Sequence, residues 1–288
     1  MYLNGTTAGN VNLTAVNGTI NINGTSYGLS LSGTNASLGA GVSVRGNISL
    51  SAKDISLNAT NAHTEEPNNI SSRSVGLLIY GNTNISFEGN SSINANSTMG
   101  AGIFFHTSAS SNDTSTLKFS NGTASINASN NISVYSTSYF SAISMGSWGG
   151  RSGIHANAIF DLQNSNLTIT ATAPYSSGIG GYQYNTPEKT SSLTFNGTGN
   201  VNITGSGMWG GVVGLKVNNT GLNGTTTITG SAFSTIAPPD AGDNPPLGVH
   251  LIGSSLVNTT ITGNASGNGT GVGISGNSSL TNTTVSGA

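Results

Sequence analysis

Short runs in which apolar and polar residues alternate recur along the whole chain and predict β-strands. The segments GNISLSAKDISLNAT (46–60), FDLQNSNLTITATA (160–173) and SSLTFNGTGNVNITGS (191–206) each combine such runs with a turn. Side chains of a strand alternate between its two faces, so one face of each run is apolar and the other polar. No segment shows the 3.6-residue periodicity of an amphipathic helix, and the pattern therefore predicts an all-β protein.

A second kind of segment, in which a glycine is followed by apolar residues, alternates with these runs. Examples are VGLLIYG (75–81), GAGIFFH (100–106), GGVVGLKV (210–217) and PLGVHLIG (246–253). Copies recur at roughly 24 to 40 residues, which is the length of one repeat in a solenoid protein. Short strands with inward Ile, Leu, Val and Ala favour a parallel β-helix over a β-sandwich, because each coil buries its apolar residues against neighbouring coils.

The repeats predict one continuous domain, residues 1–288, of about ten to twelve coils. Three loop-rich insertions are expected to interrupt it, at 61–72, 136–157 and 237–246; the last contains four of the seven prolines. Gly and Asn tolerate left-handed backbone at the corners between strands, and stacked Asn side chains can bond the corner peptides.

Composition narrows the class of protein and its partners. Charged residues are 6% of the chain and the net charge is −2, so the sequence offers no basic surface to nucleic acid or to an anionic membrane. The longest apolar run, Val75–Tyr80, is too short to span a bilayer, and no signal peptide is visible, so we expect Met1 to begin an excised segment. The absence of cysteine suits a protein that is exported unfolded.

Asn-x-Ser/Thr triplets, the acceptor sequence for N-linked sugars, are dense: about 25 occur among 38 asparagines. In many the middle residue is Ile or Leu, and an inward Ile or Leu places the Asn on the outer face of the strand. Others are Asn-Gly-Thr, in which Asn-Gly is turn chemistry. The expected acceptors are Asn12, Asn47, Asn84, Asn121, Asn127, Asn131, Asn166 and Asn202. The alternative is that Asn and Thr are only the polar residues that a solenoid surface favours.

Tandem coils such as NISL…ISLNAT and GNVNITG, rich in Asn, Gly, Ser and Thr and lacking Cys, resemble the large exoproteins of the two-partner secretion pathway. The density of acceptor triplets makes the chain similar to the high-molecular-weight adhesins of the nontypeable Haemophilus type. The resemblance covers essentially the whole chain. It consists of the composition and pattern of the repeats and includes no signature motif. The N-terminal secretion domain of that family, with its NPNG-type motifs, is not visible.

The resemblance implies a right-handed β-helix that crosses the outer membrane unfolded through a dedicated β-barrel partner. It also implies hexoses on Asn-x-Ser/Thr, attached by a cytoplasmic glycosyltransferase, and a location on the bacterial cell surface. The chain would then be an internal, receptor-binding part of a longer adhesin. Family members attach to host epithelial glycoconjugates, which are sialylated for some of them.

An enzyme on this fold would be a polysaccharide lyase or a glycoside hydrolase, and would need clustered carboxylates. The chain has nine acidic residues: Asp54, Glu65, Glu66, Glu88, Asp113, Asp161, Glu188, Asp240 and Asp243. None recurs at a spacing that stacks two of them on one face. Glu65-Glu66 beside His63 and the Asp240–Asp243 segment are better explained as solvated loops, and the four histidines have no metal-ligand spacing. The sequence predicts neither an enzyme nor a cofactor.

Sugar-binding surfaces on rigid scaffolds need aromatic rings, with Arg suited to carboxylates. The segment SYFSAISMGSWGGRSGIH (138–155), the PYSSGIGGYQYN coil and GSGMWGG bring such residues to successive coils. The predicted glycan-binding residues are Tyr139, Trp148, Arg151, His155, Tyr182, Tyr184 and Trp209, with Tyr175 beside them. The alternative is that Tyr139, Phe140 and Trp209 pack the core where coils become irregular, and this alternative is favoured for Trp209.

Together these observations predict a secreted, glycosylated, cell-surface adhesin segment that binds host glycans without catalysis. Its expected partners are host cell-surface glycans, the outer-membrane secretion partner and the cytoplasmic glycosyltransferase; we expect a monomer that does not bind nucleic acid. The first alternative is a structural stalk that holds a binding tip away from the cell. The second is a polysaccharide-degrading β-helix enzyme.

Overall fold

The computed structural model describes residues 2–5, 11–23, 29–35, 39–62, 74–98, 100–107, 113–130, 141–146, 156–174, 176–181, 190–234 and 246–288, with side chains from residue 40 onward. These residues form 21 strands in one sheet and contain no helix, which confirms the all-β prediction. The strands are β1 (Tyr2–Gly5), β2 (Val11–Asn23), β3 (Leu29–Asn35), β4 (Gly39–Asn61), β5 (Ser74–Tyr80), β6 (Asn84–Ser97), β7 (Ile103–His106), β8 (Thr114–Ser120), β9 (Thr123–Asn130), β10 (Ile143–Gly146), β11 (Asn157–Gln163), β12 (Asn166–Ala173), β13 (Ser177–Gly181), β14 (Ser192–Thr198), β15 (Val201–Gly207), β16 (Gly210–Asn223), β17 (Thr226–Ala232), β18 (Leu247–Ile252), β19 (Ser255–Ala265), β20 (Thr270–Ser275) and β21 (Ser279–Gly287).

The strand pairings fall into three parallel ladders, which the chain visits in a fixed order. Ladder A joins the first parts of β2, β4 and β16 with β5, β7, β10, β13, β18 and β20. Ladder B joins the last parts of β2 and β16, the middle of β4 and the first part of β6 with β8, β11, β14 and the starts of β19 and β21. Ladder C joins β1, β3, β9, β12, β15 and β17 with the last parts of β4, β6, β19 and β21.

Each residue in a ladder therefore pairs with residues one repeat earlier and one repeat later. In ladder C, Ile126 lies in register with Ile93 and with Ile169. The same column continues through Ile203, Ile228 and Ile261. This stack of repeats is consistent with the predicted parallel β-helix.

The core consists of the inward columns of the three ladders, packed along the length of the stack. It forms one continuous apolar cluster that runs from Val42 to Ile261. In ladder B, pairs of phenylalanines from adjacent repeats stack face to face: Phe87 on Phe119 at 5.0 Å and Phe160 on Phe195 at 5.1 Å between ring centroids. Offset-stacked rings in adjacent repeats add to the stability that their burial gives.

Ladders A and C approach each other closely at the corner between them, and small residues line this corner. In ladder C one column consists of Ala59, Ala95, Ala128, Ala171, Gly205, Gly230 and Gly263. A Cβ on Gly230 would lie 2.0 Å from the carbonyl oxygen of Gly248 in ladder A. A Cβ on Gly248 would lie 2.5 Å from the backbone nitrogen of Asn264. This contact explains why a glycine precedes the apolar residues in PLGVHLIG.

The three predicted insertions lie largely outside the described residues. The exception is the second, at 136–157, which the sequence predicted to be loop-rich. The structure has β10 inside this range, paired on both sides within ladder A. Ile143 and Met145 are buried in the core, so the alternation in AISMG is that of a short strand. The structure thus has one core strand inside the range that was predicted to be loop-rich.

Candidate glycan-binding and glycosylation sites

Six of the seven predicted glycan-binding residues lie outside the described residues: Tyr139, Trp148, Arg151, His155, Tyr182 and Tyr184. Their grouping into one patch stays a prediction. Trp209 is described and is only 6% exposed, between β15 and β16. Its carbonyl accepts a hydrogen bond from the N–H of Leu247 at 3.0 Å. The burial favours the packing role that was the alternative for Trp209, since the indole offers little surface to a sugar ring.

The structure adds a cluster that the sequence interpretation missed, here called the aromatic column: Arg45, Tyr80, Phe104 and His106. Tyr80 and His106 lie in register in ladder A and stack at 4.6 Å between ring centroids, with an interplanar angle of 16°. The guanidinium carbon of Arg45 lies 5.1 Å from the centre of the Tyr80 ring. Phe104 meets His106 edge to face at 5.4 Å. Three consecutive repeats thus contribute to one stack of a cation and aromatic rings.

The aromatic column could have been predicted from the register between neighbouring repeats alone. Aligning VGLLIYG with GAGIFFH places Tyr80 and His106 at equivalent positions, one residue after the inward Ile79 and Phe105. Arg45 follows Val44, which is in register with Ile79. The sequence comparison recognised these segments as copies of one another but not their exact alignment, so it did not group the three side chains.

The aromatic column can bind a charged group more readily than a sugar ring. Arg45 is exposed, whereas Tyr80 is half-buried and Phe104 and His106 are buried. The stacking on His106 and the Arg45 guanidinium occupy the two faces of the Tyr80 ring. A guanidinium presents paired donors that match a carboxylate. The column therefore offers an acidic ligand one exposed cation held against an aromatic ring.

The ends of the ladder A strands connect the aromatic column with the predicted glycan-binding segments. Gly146, at the end of β10, is in register with His106. The segment that contains Trp148 and Arg151 follows Gly146 directly. Likewise, the segment that contains Tyr182 follows Gly181, which is in register with Met145. Both segments thus begin at the same end of ladder A as Tyr80 and His106.

His106 is a buried imidazole in this column. Burial lowers its pKa from 6.5 to about 4, and the nearby charge of Asp113 raises it in part. Asp113 is itself buried and accepts hydrogen bonds from Asn82 Nδ2 and Thr107 Oγ1, each at 3.2 Å. At neutral pH the His106 ring is therefore uncharged.

We expect the protein to lose stability in acid through His106. Between pH 6.5 and about 4 the unfolded chain binds a proton that the folded chain does not, so the free energy of unfolding falls as the pH falls through this window. The loss reaches at most about 3 kcal/mol, since one pKa unit corresponds to about 1.4 kcal/mol. His106→Phe should flatten this part of the pH profile, measured by denaturant unfolding at a series of pH values.

His250→Phe is the matched comparison, because burial also lowers the pKa of His250 and its Nε2 lies 3.3 Å from Ser275 Oγ. A pH profile that His106→Phe leaves unchanged would contradict the assignment to His106.

The predicted acceptor asparagines that the structure describes with side chains are all exposed: Asn47, Asn84, Asn121, Asn127, Asn166 and Asn202. Where the middle residue of the triplet is apolar, it is buried, as for Ile85 and Ile203. Asn121 has a φ of 60° at the corner between β8 and β9, as the Asn-Gly turn chemistry predicts. The backbone of Asn12 lies in β2, and Asn131 lies outside the described residues. The predicted outward geometry is confirmed for these six, and their modification stays a prediction.

Lateral hydrogen bonds join several of these side chains between repeats. Asn84 Nδ2 donates to Asn47 Oδ1 at 2.9 Å, and Asn127 Nδ2 donates to Asn94 Oδ1 at 3.0 Å. Asn121 Nδ2 donates to Glu88 Oε1 at 3.3 Å. Such bonds confirm the stacking of asparagines that the sequence predicted.

Other asparagines bond the corner backbone of the next repeat. Asn166 Oδ1 accepts from the N–H of Asn200 at 2.9 Å, and Asn200 Oδ1 accepts from the N–H of Thr225 at 3.0 Å. These corner bonds were also predicted.

The acidic residues with described side chains are Asp54, Glu88, Asp113 and Asp161. Within the described ranges no group of three or more His, Asp or Glu side chains is arranged to hold a metal ion. Asp54 instead accepts a hydrogen bond from Asn90 Nδ2 at 3.0 Å. The other acidic residues lie outside the described residues: Glu65, Glu66, Glu188, Asp240 and Asp243.

Among the described residues, no helix is both apolar enough and long enough to cross a membrane.

Comparison with known proteins adds no relative from which a role could be transferred. The chain matches no protein family, no curated protein and no solved structure. Its functional assignment therefore depends on the geometry of its own residues.

Proposed function

We propose that the chain is a glycosylated, cell-surface adhesin segment that binds host glycans without catalysis. In fold it would be a right-handed parallel β-helix. The three parallel ladders support this proposal, because crossover connections between parallel strands are right-handed in nearly all proteins. Transport through an outer-membrane partner, modification by a cytoplasmic glycosyltransferase and a monomeric state are parts of the same proposal.

One observation carries the binding assignment: in the sequence, the segment with Trp148 and Arg151 directly follows a strand end that is in register with the aromatic column. His106 is in register with Gly146, and Trp148 is the second residue after Gly146. Arg45 is exposed beside Tyr80 in the same column. Aromatic rings and guanidinium groups on successive repeats are the groups that bind sugar rings and sugar carboxylates. An acidic, sialic-acid-like glycan is the ligand class that this chemistry favours.

The outward asparagines support the glycosylated character of the surface. Asn166 and Asn202 are exposed, and their neighbours Leu167 and Ile203 fix them by being buried in the core. A sugar on Asn202 Nδ2 would break no hydrogen bond, whereas a sugar on Asn127 Nδ2 would compete with the bond to Asn94. The surface thus includes acceptor asparagines whose Nδ2 takes part in no hydrogen bond of the fold among the described residues.

Glycan-array binding of the folded chain tests the proposal. Trp148→Ala and Arg151→Ala should each lower binding substantially, and Arg45→Ala should lower the binding of acidic glycans more than that of neutral ones. Lys216→Ala, which removes an exposed cation from β16 in ladder B, is the control and should bind as the wild type does.

Undiminished binding in both the Trp148 and the Arg151 variant would refute the site. Absence of binding to every glycan and to host cells would favour the structural stalk. Release of unsaturated sugars from acidic polysaccharides in the presence of Ca²⁺ would favour the enzyme.

A further inference from the structure

The outer face of ladder C carries a regular array of hydroxyl and amide side chains, here called the hydroxyl array. It consists of the outward positions of residues 168–172, 202–206, 227–231, 260–264 and 284–286, which are all Thr, Ser or Asn. Its central column is Thr170, Thr204, Thr229, Thr262 and Ser286. The array belongs to five consecutive repeats and lies on a different ladder from the aromatic column.

The hydroxyl array is regular and periodic. The register that joins these five rungs in ladder C is continuous from 167 to 173 and from 201 to 207, and likewise between the following repeats. The inward residues Ile169, Ile203, Ile228 and Ile261 are at most 1% exposed, so a uniform core supports the first four rungs, whereas Val285 in the fifth rung is 43% exposed. Neighbouring rungs lie about 4.8 Å apart, and alternate residues along a strand about 6.6 Å apart. β-Branched threonines have few rotamers, which keeps the hydroxyls and methyls in a fixed arrangement.

The hydroxyl array is uncharged, and most of its hydroxyls are not used by the fold. No Asp, Glu, Lys or Arg occurs in β12, β15, β17, β19 or β21. Thr262 Oγ1 and Ser286 Oγ share one hydrogen bond at 3.3 Å. Thr170, Thr204 and Thr229 make no hydrogen bond within the described structure through their hydroxyls. By contrast, Asn58, Asn94 and Asn127, which occupy the same column in earlier repeats, bond to each other.

The neutral charge and the regular spacing of the hydroxyl array restrict the kind of partner that it can bind. A neutral surface has no electrostatic complement in nucleic acid, anionic lipid or acidic polysaccharide. Neutral polysaccharides are bound through aromatic rings, and the hydroxyl array contains none. Each hydroxyl both donates and accepts hydrogen bonds, as each molecule of a water lattice does. A regular array with two fixed repeat distances matches a periodic partner, and weak contacts at many lattice points add up when they form together.

We propose that the hydroxyl array binds the ordered water of an ice surface, so that this segment can attach to ice. The threonine hydroxyls would hold lattice waters, and the methyl groups between them would order the water in the gaps. Asn202 belongs to the array and is also a proposed acceptor, and a sugar on it would project from the surface and prevent this contact. Ice binding is therefore a property of the chain without a sugar on Asn202, and the test uses protein without sugars.

The test measures thermal hysteresis, inhibition of ice recrystallisation and retention in a growing ice front for the unglycosylated chain, residues 1–288. We expect all three activities in the wild type. Thr229→Tyr at the centre of the array, and separately Thr204→Tyr, should abolish them, because a ring that projects from the surface interrupts the lattice match. Both positions face outward, and circular dichroism melting curves should show that the two variants remain folded.

Thr194→Tyr is the matched control, because Thr194 is an outward threonine of β14 in ladder B, outside the array. It should keep the activity of the wild type. A folded wild type without any effect on ice would overturn the proposal, as would array variants that equal the wild type. Retention on crystalline cellulose or chitin without an effect on ice would identify a polysaccharide partner instead. None of these outcomes depends on the glycan-array result, since the two surfaces lie on different ladders.

Discussion

Gly230→Val is expected to destabilise the protein by at least about 4 kcal/mol, a size that only severe core defects reach. A Cβ at Gly230 would lie 2.0 Å from the carbonyl oxygen of Gly248 and 2.6 Å from Val249 Cγ2. The first contact is with backbone, so no side-chain rotation relieves it, and ladders A and C would have to separate. We expect a lower melting temperature by circular dichroism, with faster amide hydrogen exchange in β17 and β18.

Gly253→Asn is the control for this prediction. Gly253 has a φ of 60°, and no atom lies within 4 Å of a Cβ built on it. Asn adopts left-handed backbone at modest cost, so the change should cost less than about 1 kcal/mol. If Gly230→Val melted at the temperature of Gly253→Asn, the close approach of the two ladders would be wrong.

The two glycines show which part of the fold the sequence could predict. Glycine and asparagine were expected at corners because they tolerate positive φ, and Gly253 and Asn121 meet that expectation. Gly230 and Gly248 are glycines for another reason, namely the contact between backbones of different ladders. That contact joins neighbouring repeats, so a pattern read along one strand does not contain it.

At regular strand positions, alternation along the strand predicted which residues face inward and which face outward. Ile126 was expected to face inward and Asn127 outward, and they are buried and exposed respectively. Alternation says nothing about which residues of different repeats share a rung. For this reason the aromatic column was missed, since Tyr80 and His106 become neighbours only through the register of β5 and β7. The strand β10 was missed because four residues are too few to show a period.

The limit of alternation is clearest at Asn218 and Asn219, adjacent asparagines in β16. In the sequence the two residues are identical in polarity. In the structure Asn218 is half-buried and makes its polar contacts at the surface, whereas Asn219 is only 1% exposed. Asn219 Oδ1 accepts from the N–H of Val257 at 2.8 Å. Its Nδ2 lies 2.7 Å from Thr226 Oγ1 and 2.9 Å from the carbonyl oxygen of Val257. One buried amide thus joins β16 and β17 of its own repeat to β19 of the next repeat.

Asn219→Ala is therefore expected to cost about 3 kcal/mol, because it leaves the partly buried N–H of Val257 and the buried hydroxyl of Thr226 without their partner. Asn218→Ala is the matched control. Asn218 Oδ1 accepts only local bonds, from the N–H and the hydroxyl of Thr220 at 3.1 and 2.9 Å. Their loss in contact with water should cost below about 1 kcal/mol.

Thermal and denaturant unfolding of the two variants gives the comparison. Because each repeat contacts mainly its neighbours, the damage from Asn219→Ala should be local. Hydrogen exchange should accelerate in β16, β17 and β19 and remain slow in β6 and β8. Equal stability of the two variants would mean that water replaces the Asn219 amide, and that the joint between these repeats depends on apolar contacts alone.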